Sequence, residues 1–186
     1  MIHPYDDLPL HQSSAPLLHP TSDSAGLYDR YFFNGFDRNG EVFFAVALGV
    51  YPNRQVMDAS FSIVVNGVQH NCRSSRRCSS DRTVTTVGSI DVQVIEPMLR
   101  HRIVIDDHHG ISADLTMQVV SPVIEEPTFV RRNEGRVVMD YTRITQFVEW
   151  SGWIDFDGTR IALDELGVVE GLSLIHISEP TRRSDI

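Results

Sequence analysis

The chain has 186 residues, a formal net charge of −9 and 16 basic residues, all of them arginine. That balance argues against nucleic acid or an anionic membrane surface as partner, and no apolar run approaches the roughly 18 residues of a spanning helix. No basic region followed by an apolar one opens the chain, and its two cysteines, Cys72 and Cys78, lack metal-type spacing, so a reducing, cytoplasmic setting is expected.

Residues 1–25 carry Pro4, Pro9, Pro16 and Pro20 among Ser, His and Asp, which predicts an extended arm. Beyond it the hydrophobic period is two. Tyr31, Phe33 and Gly35 alternate with Arg30, Phe32 and Asn34. Asp37-Arg38-Asn39-Gly40 then gives a hairpin turn into a strand over 41–50, because Asn-Gly accepts positive φ. Ala59, Phe61, Ile63 and Val65 share a face opposite Asp58, Ser60 and Ser62, and Asn66-Gly67 closes a second hairpin into 68–73. The stretch 73–82, rich in Arg, Ser and Cys, reads as a polar loop. Ile90, Val92 and Val94 mark another strand, and Leu99, His101, Ile103 and Ile105 the next. After a turn over 106–110, Ile111, Ala113, Leu115, Met117 and Val119 alternate with polar neighbours. A link from Pro122 to Pro127 precedes strands over 136–141 and 145–156, and Asp157-Gly158 turns the chain into 159–163. Short strands separated by turn signals predict an all-β, antiparallel barrel or sandwich over residues 26–171.

The strand 41–50 is apolar on both faces. Val42, Phe44, Val46, Leu48 and Val50 form a bulky face; Phe43, Ala45, Ala47 and Gly49 form a smaller one. Small inward residues leave room for a ligand in a barrel, so Phe43, Ala45 and Ala47 are candidate ligand-binding residues. The alternative is a central strand covered on both sides.

Tyr31-Phe32-Phe33-Asn34-Gly35-Phe36, Ala47 to Arg54, Val138 to Arg143 and Trp150-Ser151-Gly152-Trp153-Ile154 together resemble a bacterial family of unknown function. That family is distantly similar to the lipocalin-like carotenoid 1,2-hydratase and AttH-type proteins. The resemblance spans about residues 28–163 and implies a lipocalin-like fold with an apolar interior suited to an isoprenoid, terpenoid or acyl ligand. It also implies a chain that continues into a second, similar half. Leu172 to Arg182 resemble translated sequencing adaptor, so residues 172–186 are expected to be foreign and the missing C-terminal half to be the natural partner.

Protonating a polyene, or adding water to it, calls for an acid in an apolar pocket. Asp140, Tyr141 and Arg143 are the candidates for it, with a structural ion pair as the alternative. Trp150 and Trp153, three apart in a strand, face opposite sides; either is a candidate ligand platform or ordinary core. Asn34 and Asp58 are polar positions within apolar strands, able to orient a ligand or to satisfy local backbone. Asp106, Asp107, His108 and His109 carry metal-type groups, yet adjacent histidines in an extended segment point apart and the sequence is good turn chemistry. No metal is therefore assigned. Without a Gly-rich phosphate loop, G-x-S-x-G or H-E-x-x-H, no cofactor is assigned either. Three readings stay open: a binding domain for an apolar small molecule, a hydratase or isomerase on the same scaffold, and a supporting half-domain with no site of its own.

Overall fold

The computed structural model describes residues 2–9, 25–79, 81, 83–166 and 169–178, the backbone alone at 165–166 and 169–178. The strands in chain order are β1 (Tyr28–Phe36), β2 (Val42–Tyr51), β3 (Val56–Val65), β4 (Val68–Arg77), β5 (Thr86–Val87), β6 (Ile90–Glu96), β7 (Arg100–His108), β8 (Ile111–Val119), β9 (Ile124–Glu125), β10 (Phe129–Asn133), β11 (Arg136–Phe156), β12 (Thr159–Ala162) and β13 (Val169–Ser178). They form one 13-stranded antiparallel sheet in the order β4-β3-β2-β1-β13-β11-β8-β7-β6-β5, with β9, β10 and β12 paired to β11. Strands β5 and β6 return against β3 and β4, so the sheet curls back on itself. Arg76 on β4 ties the two edges: Nε donates to the Thr86 carbonyl at 2.6 Å and Nη2 to that of Val84 at 2.7 Å. Among the described residues no helix is long and apolar enough to cross a membrane.

The period of two becomes burial directly. In β1 Tyr31, Phe33 and Gly35 are inside; in β2 it is the bulky set Val42, Phe44, Val46, Leu48 and Val50. With Met57, Phe61, Ile63, Ile90, Ile103, Ile105, Leu115 and Met117 they fill the interior. Register is pinned by two-residue turns whose residues both have positive φ, such as Asn66 (52°) and Gly67 (75°), or Asp157 (48°) and Gly158 (76°). In β11, Gly152 has φ 103°, and a Cβ there would lie 2.1 Å from the Asp114 carbonyl oxygen. Only glycine fits where β11 crosses so close to β8.

Three expectations change. The stretch 73–82 is not all loop, since Arg73 to Arg77 continue β4 in register with β3, where ladder hydrogen bonds outweigh the polar composition. The two strands expected over 136–156 are one, because β9, β10, β8 and β13 supply partners along its whole length. The opening segment is not extended over Pro4–Asp7, which form a 3-10 turn. There the His3 side chain accepts from the Tyr5 N–H at 3.2 Å, while the His3 N–H donates to Asp6 Oδ2 at 2.7 Å. The rest of the expected arm, 10–24, lies outside the described residues. Beyond these, β13 runs over Val169–Ser178. It pairs with β1 on one side and β11 on the other.

Candidate functional site

One end of the interior is polar. The 3-10 turn delivers Asp7 to it, fully buried, while Pro4, Tyr5 and Asp6 stay exposed. Asp7 Oδ2 accepts from the Met98 N–H at 2.6 Å. Met98 reaches that orientation through φ 66°, a strained value for a side-chain-bearing residue. Its carbonyl accepts from Gln146 Nε2 of β11 at 3.1 Å. The Tyr31 hydroxyl of β1 donates to the Asp7 main-chain carbonyl. Asp7 Oδ1 lies 3.2 Å from Nε2 of His101 on β7, and both side chains are wholly excluded from solvent.

That last approach is off the hydrogen-bond axis. Among the described residues, both His101 nitrogens, Asp7 Oδ1 and Gln146 Oε1 are thus buried without a hydrogen-bond partner. Native interiors rarely leave so many polar atoms unmatched in one place. The walls are aromatic: the His101 ring meets Phe33 edge-on at 5.5 Å and Tyr31 at 6.1 Å, and Phe33 meets Trp150 at 6.2 Å. Burial, reinforced by the Asp7 and Asp29 carboxylates, pushes the Tyr31 hydroxyl well above its ordinary pKa, so it stays a neutral donor. An imidazole beside a carboxylate, with a fixed neutral hydroxyl and an inward N–H, is equipped to hold a polar oxygen and to exchange a proton with it.

The expected site residues scatter around this group. On β11 the inward set is Ile144, Gln146, Val148, Trp150 and Ile154. Asp140 is in phase with it, an even number of residues away; Tyr141 and Arg143 are on the other face. Tyr141 stacks on Phe129 of β10 at 5.0 Å. Arg143 pairs with Glu126, not with Asp140, and Glu126 also accepts from Thr145 Oγ1 at 2.8 Å. That arrangement holds the Glu126 carboxyl below the usual range, chiefly through the Arg143 hydrogen bond. Phe43, Ala45 and Ala47 lie on the face of β2 turned away from the core, Phe43 39% exposed. Asn34 and Asp58 share that outer face on β1 and β3.

Trp150 is buried, and its indole N–H donates to the Asn34 carbonyl at 3.0 Å. Trp153 is on the opposite face under Arg160, 4.1 Å from the guanidinium carbon. The His108 and His109 rings do not point apart; they meet at 4.6 Å, because His109 has φ 54° and is not extended. Among the described residues no group of three or more His, Cys, Asp or Glu side chains is placed to hold a metal ion.

His101 and Gln146 carried a signal that was not used. Each is polar at a position in phase with an apolar face: His101 with Ile103 and Ile105, Gln146 with Ile144, Val148 and Trp150. Asp7 carried none, being one of two adjacent acids in a proline-rich stretch, 94 residues from its partner, as the positions 7 and 101 give.

No curated protein matches the chain. Among solved structures it is similar to kievitone hydratase from Nectria haematococca, with TM-score 0.56 and 12% identity, covering 94% of this chain and 53% of that one. It is also similar to CghA, with TM-score 0.52 and 15% identity, covering 94% and 54%. The complex of CghA with Sch210972 gives TM-score 0.52 and 15% identity, covering 81% and 45%. The chain therefore spans about half the length of these neighbours. At such identities they establish the fold, which is lipocalin-like and all-β. The profile of the family of unknown function DUF8625 matches residues 2–171, and the chain belongs to that family.

Proposed function

We propose that this domain binds an apolar small molecule of isoprenoid, terpenoid or acyl type. Its place is the polar end of the interior, beside Tyr31, Phe33, His101, Gln146 and Trp150. The observation that carries the reading is the unmatched His101–Asp7 group set among aromatic rings in an otherwise apolar interior. Binding sites combine apolar walls with a few convergent polar groups in this way. Trp150 reports on the site. In a Trp153→Phe background it is the only indole, and farnesol is expected to change its emission saturably. Emission that farnesol leaves unchanged removes the reading. The outer face at Phe43, Ala45, Ala47 and Asn34 is the second place for such a molecule. A bulky Ala47→Trp substitution blocks it alone, whereas His101→Ala disturbs only the interior.

A hydratase or isomerase acting on an isoprenoid-like substrate is the second reading. It is favoured by the dry imidazole–carboxylate pair and by one structural neighbour being a hydratase. His101 is then the leading proton-transfer group. Asp140, in phase with the inward face of β11, is a further candidate acid, with Tyr141 and Arg143 behind it. Turnover unchanged by Asp140→Asn rules that residue out; turnover unchanged by His101→Ala rules out the imidazole. In either reading a further C-terminal half of the same protein is the proposed partner, and a half-domain with no site of its own is what both tests would leave if they failed.

A further inference from the structure

We infer that the groups around Asp7 form a carboxylate-binding subsite, and that Asp7 is the chain's own stand-in for the carboxylate of an apolar acid. The inference deepens the interior-binding reading and rests on it. Three donors converge on one residue: the Met98 N–H on Oδ2 at 2.6 Å, His101 Nε2 beside Oδ1 at 3.2 Å, and the Tyr31 hydroxyl on the main-chain carbonyl. All three belong to the barrel or its edge loop, and none to the segment that carries Asp7. Gln146 Nε2 donates to the Met98 carbonyl on the following peptide and so ties this loop to β11.

The segment forms its own turn. Its turn closes on its own backbone through the Asp6 N–H to the His3 carbonyl at 2.8 Å and the Leu8 N–H to that of Tyr5 at 3.1 Å. His3, Pro4, Tyr5 and Asp6 are exposed, with Tyr5 71% exposed. Ile2 packs against the core, Asp7 is fully buried, Pro9 is buried and Leu8 half-buried. A buried carboxylate needs several aligned donors to offset its lost hydration. Asp7 falls short, since Oδ1 has no hydrogen bond and His101 keeps two unmatched nitrogens. A ligand carboxylate free of the tether can align with Nε2 and take the Met98 N–H as well. The hydrocarbon behind it would lie toward the Tyr31 and Phe33 rings that flank His101.

The test compares decanoate with decanol on the full chain by calorimetry. Asp7→Ala empties the subsite, so decanoate is expected to bind about tenfold tighter than to the unsubstituted chain, while decanol changes little. Adding His101→Ala to Asp7→Ala should erase the decanoate gain. In the same variant, millimolar acetate should raise the melting temperature, and acetamide should not. Should Asp7→Ala fail to fold, Asp7→Ser serves the same comparison, because its shorter side chain also leaves the carboxylate position open. If decanol binds but decanoate gains nothing in the substituted chain, the subsite falls and the interior-binding reading stands. If neither compound binds any variant, both fall together.

Discussion

Phe44, Phe61, Ile63, Ile90 and Ile103 are apolar side chains with no exposed surface. Around Asp7, Tyr31, His101 and Gln146 the interior is just as dry, with exposures of 0–3%, yet it holds four polar side chains. The first region is stable by area and packing: large rings stack, as Phe44 and Phe61 do at 6.4 Å, and these side chains have no polar atoms to satisfy. The second gives up part of that gain, because unmatched buried polar atoms cost about 1–3 kcal/mol apiece. A sheet able to fill one end with Phe and Ile could have filled the other likewise. The polar end is therefore the place where something other than stability was selected.

The largest expected effect lies in the apolar region. Phe61→Ala removes a ring with no exposed surface and should cost about 3–5 kcal/mol in urea unfolding. A cost below about 1 kcal/mol would mean that the two regions pack alike and would break the comparison.

The polar region should behave the opposite way on full replacement. His101→Leu alone strands the Asp7 carboxylate in a dry interior and should cost about 3 kcal/mol. Adding Asp7→Val should recover most of that loss, since replacing both members of a buried pair by apolar groups is often neutral or stabilising. Losses that simply add would show that the pair is a net source of stability, and the contrast between the two ends would disappear.

These regions were unequally legible. The alternations through Tyr31 and Phe33, through Phe44 to Val50 and through Ile111 to Met117 report the pleat itself, so the sheet and its inner face could be read from residue type alone. The turns at Asn66-Gly67 and Asp157-Gly158 were equally plain, because positive φ selects residue type locally. The site was not, because its parts come from the opening turn, β1, the loop at Met98, β7 and β11, and only the folded sheet brings them together. His101 and Gln146 show as polar residues in phase with apolar faces. Asp7 depends on a 3-10 turn whose capping is local but whose burial is not. On β2 the two-faced pattern was visible, but which face turned inward was decided by volume: the larger side chains filled the interior and left Ala45 and Ala47 outside.

The smallest effect sharpens the contrast from outside the barrel. Whereas the side chains of His101 and Asp7 are wholly buried, Arg143 and Glu126 form an ion pair with side chains 37% and 26% exposed. Water screens it, so Glu126→Gln should cost only about 0.2–1 kcal/mol. Its pH dependence has a definite sign. Hydrogen bonding to Arg143 lowers the Glu126 pKa in the folded chain, and Arg102 does the same to Asp114. A lowered folded value means the unfolded chain binds the proton more readily. The stabilisation is therefore complete above the ordinary carboxylate range and drains away as pH falls through the lowered folded values. Melting temperature should drop on acidification in the unsubstituted chain, and drop less steeply in Glu126→Gln. Equal slopes would assign the acid sensitivity to other carboxylates, such as Asp37, whose pKa is lowered chiefly by the Val42 N–H.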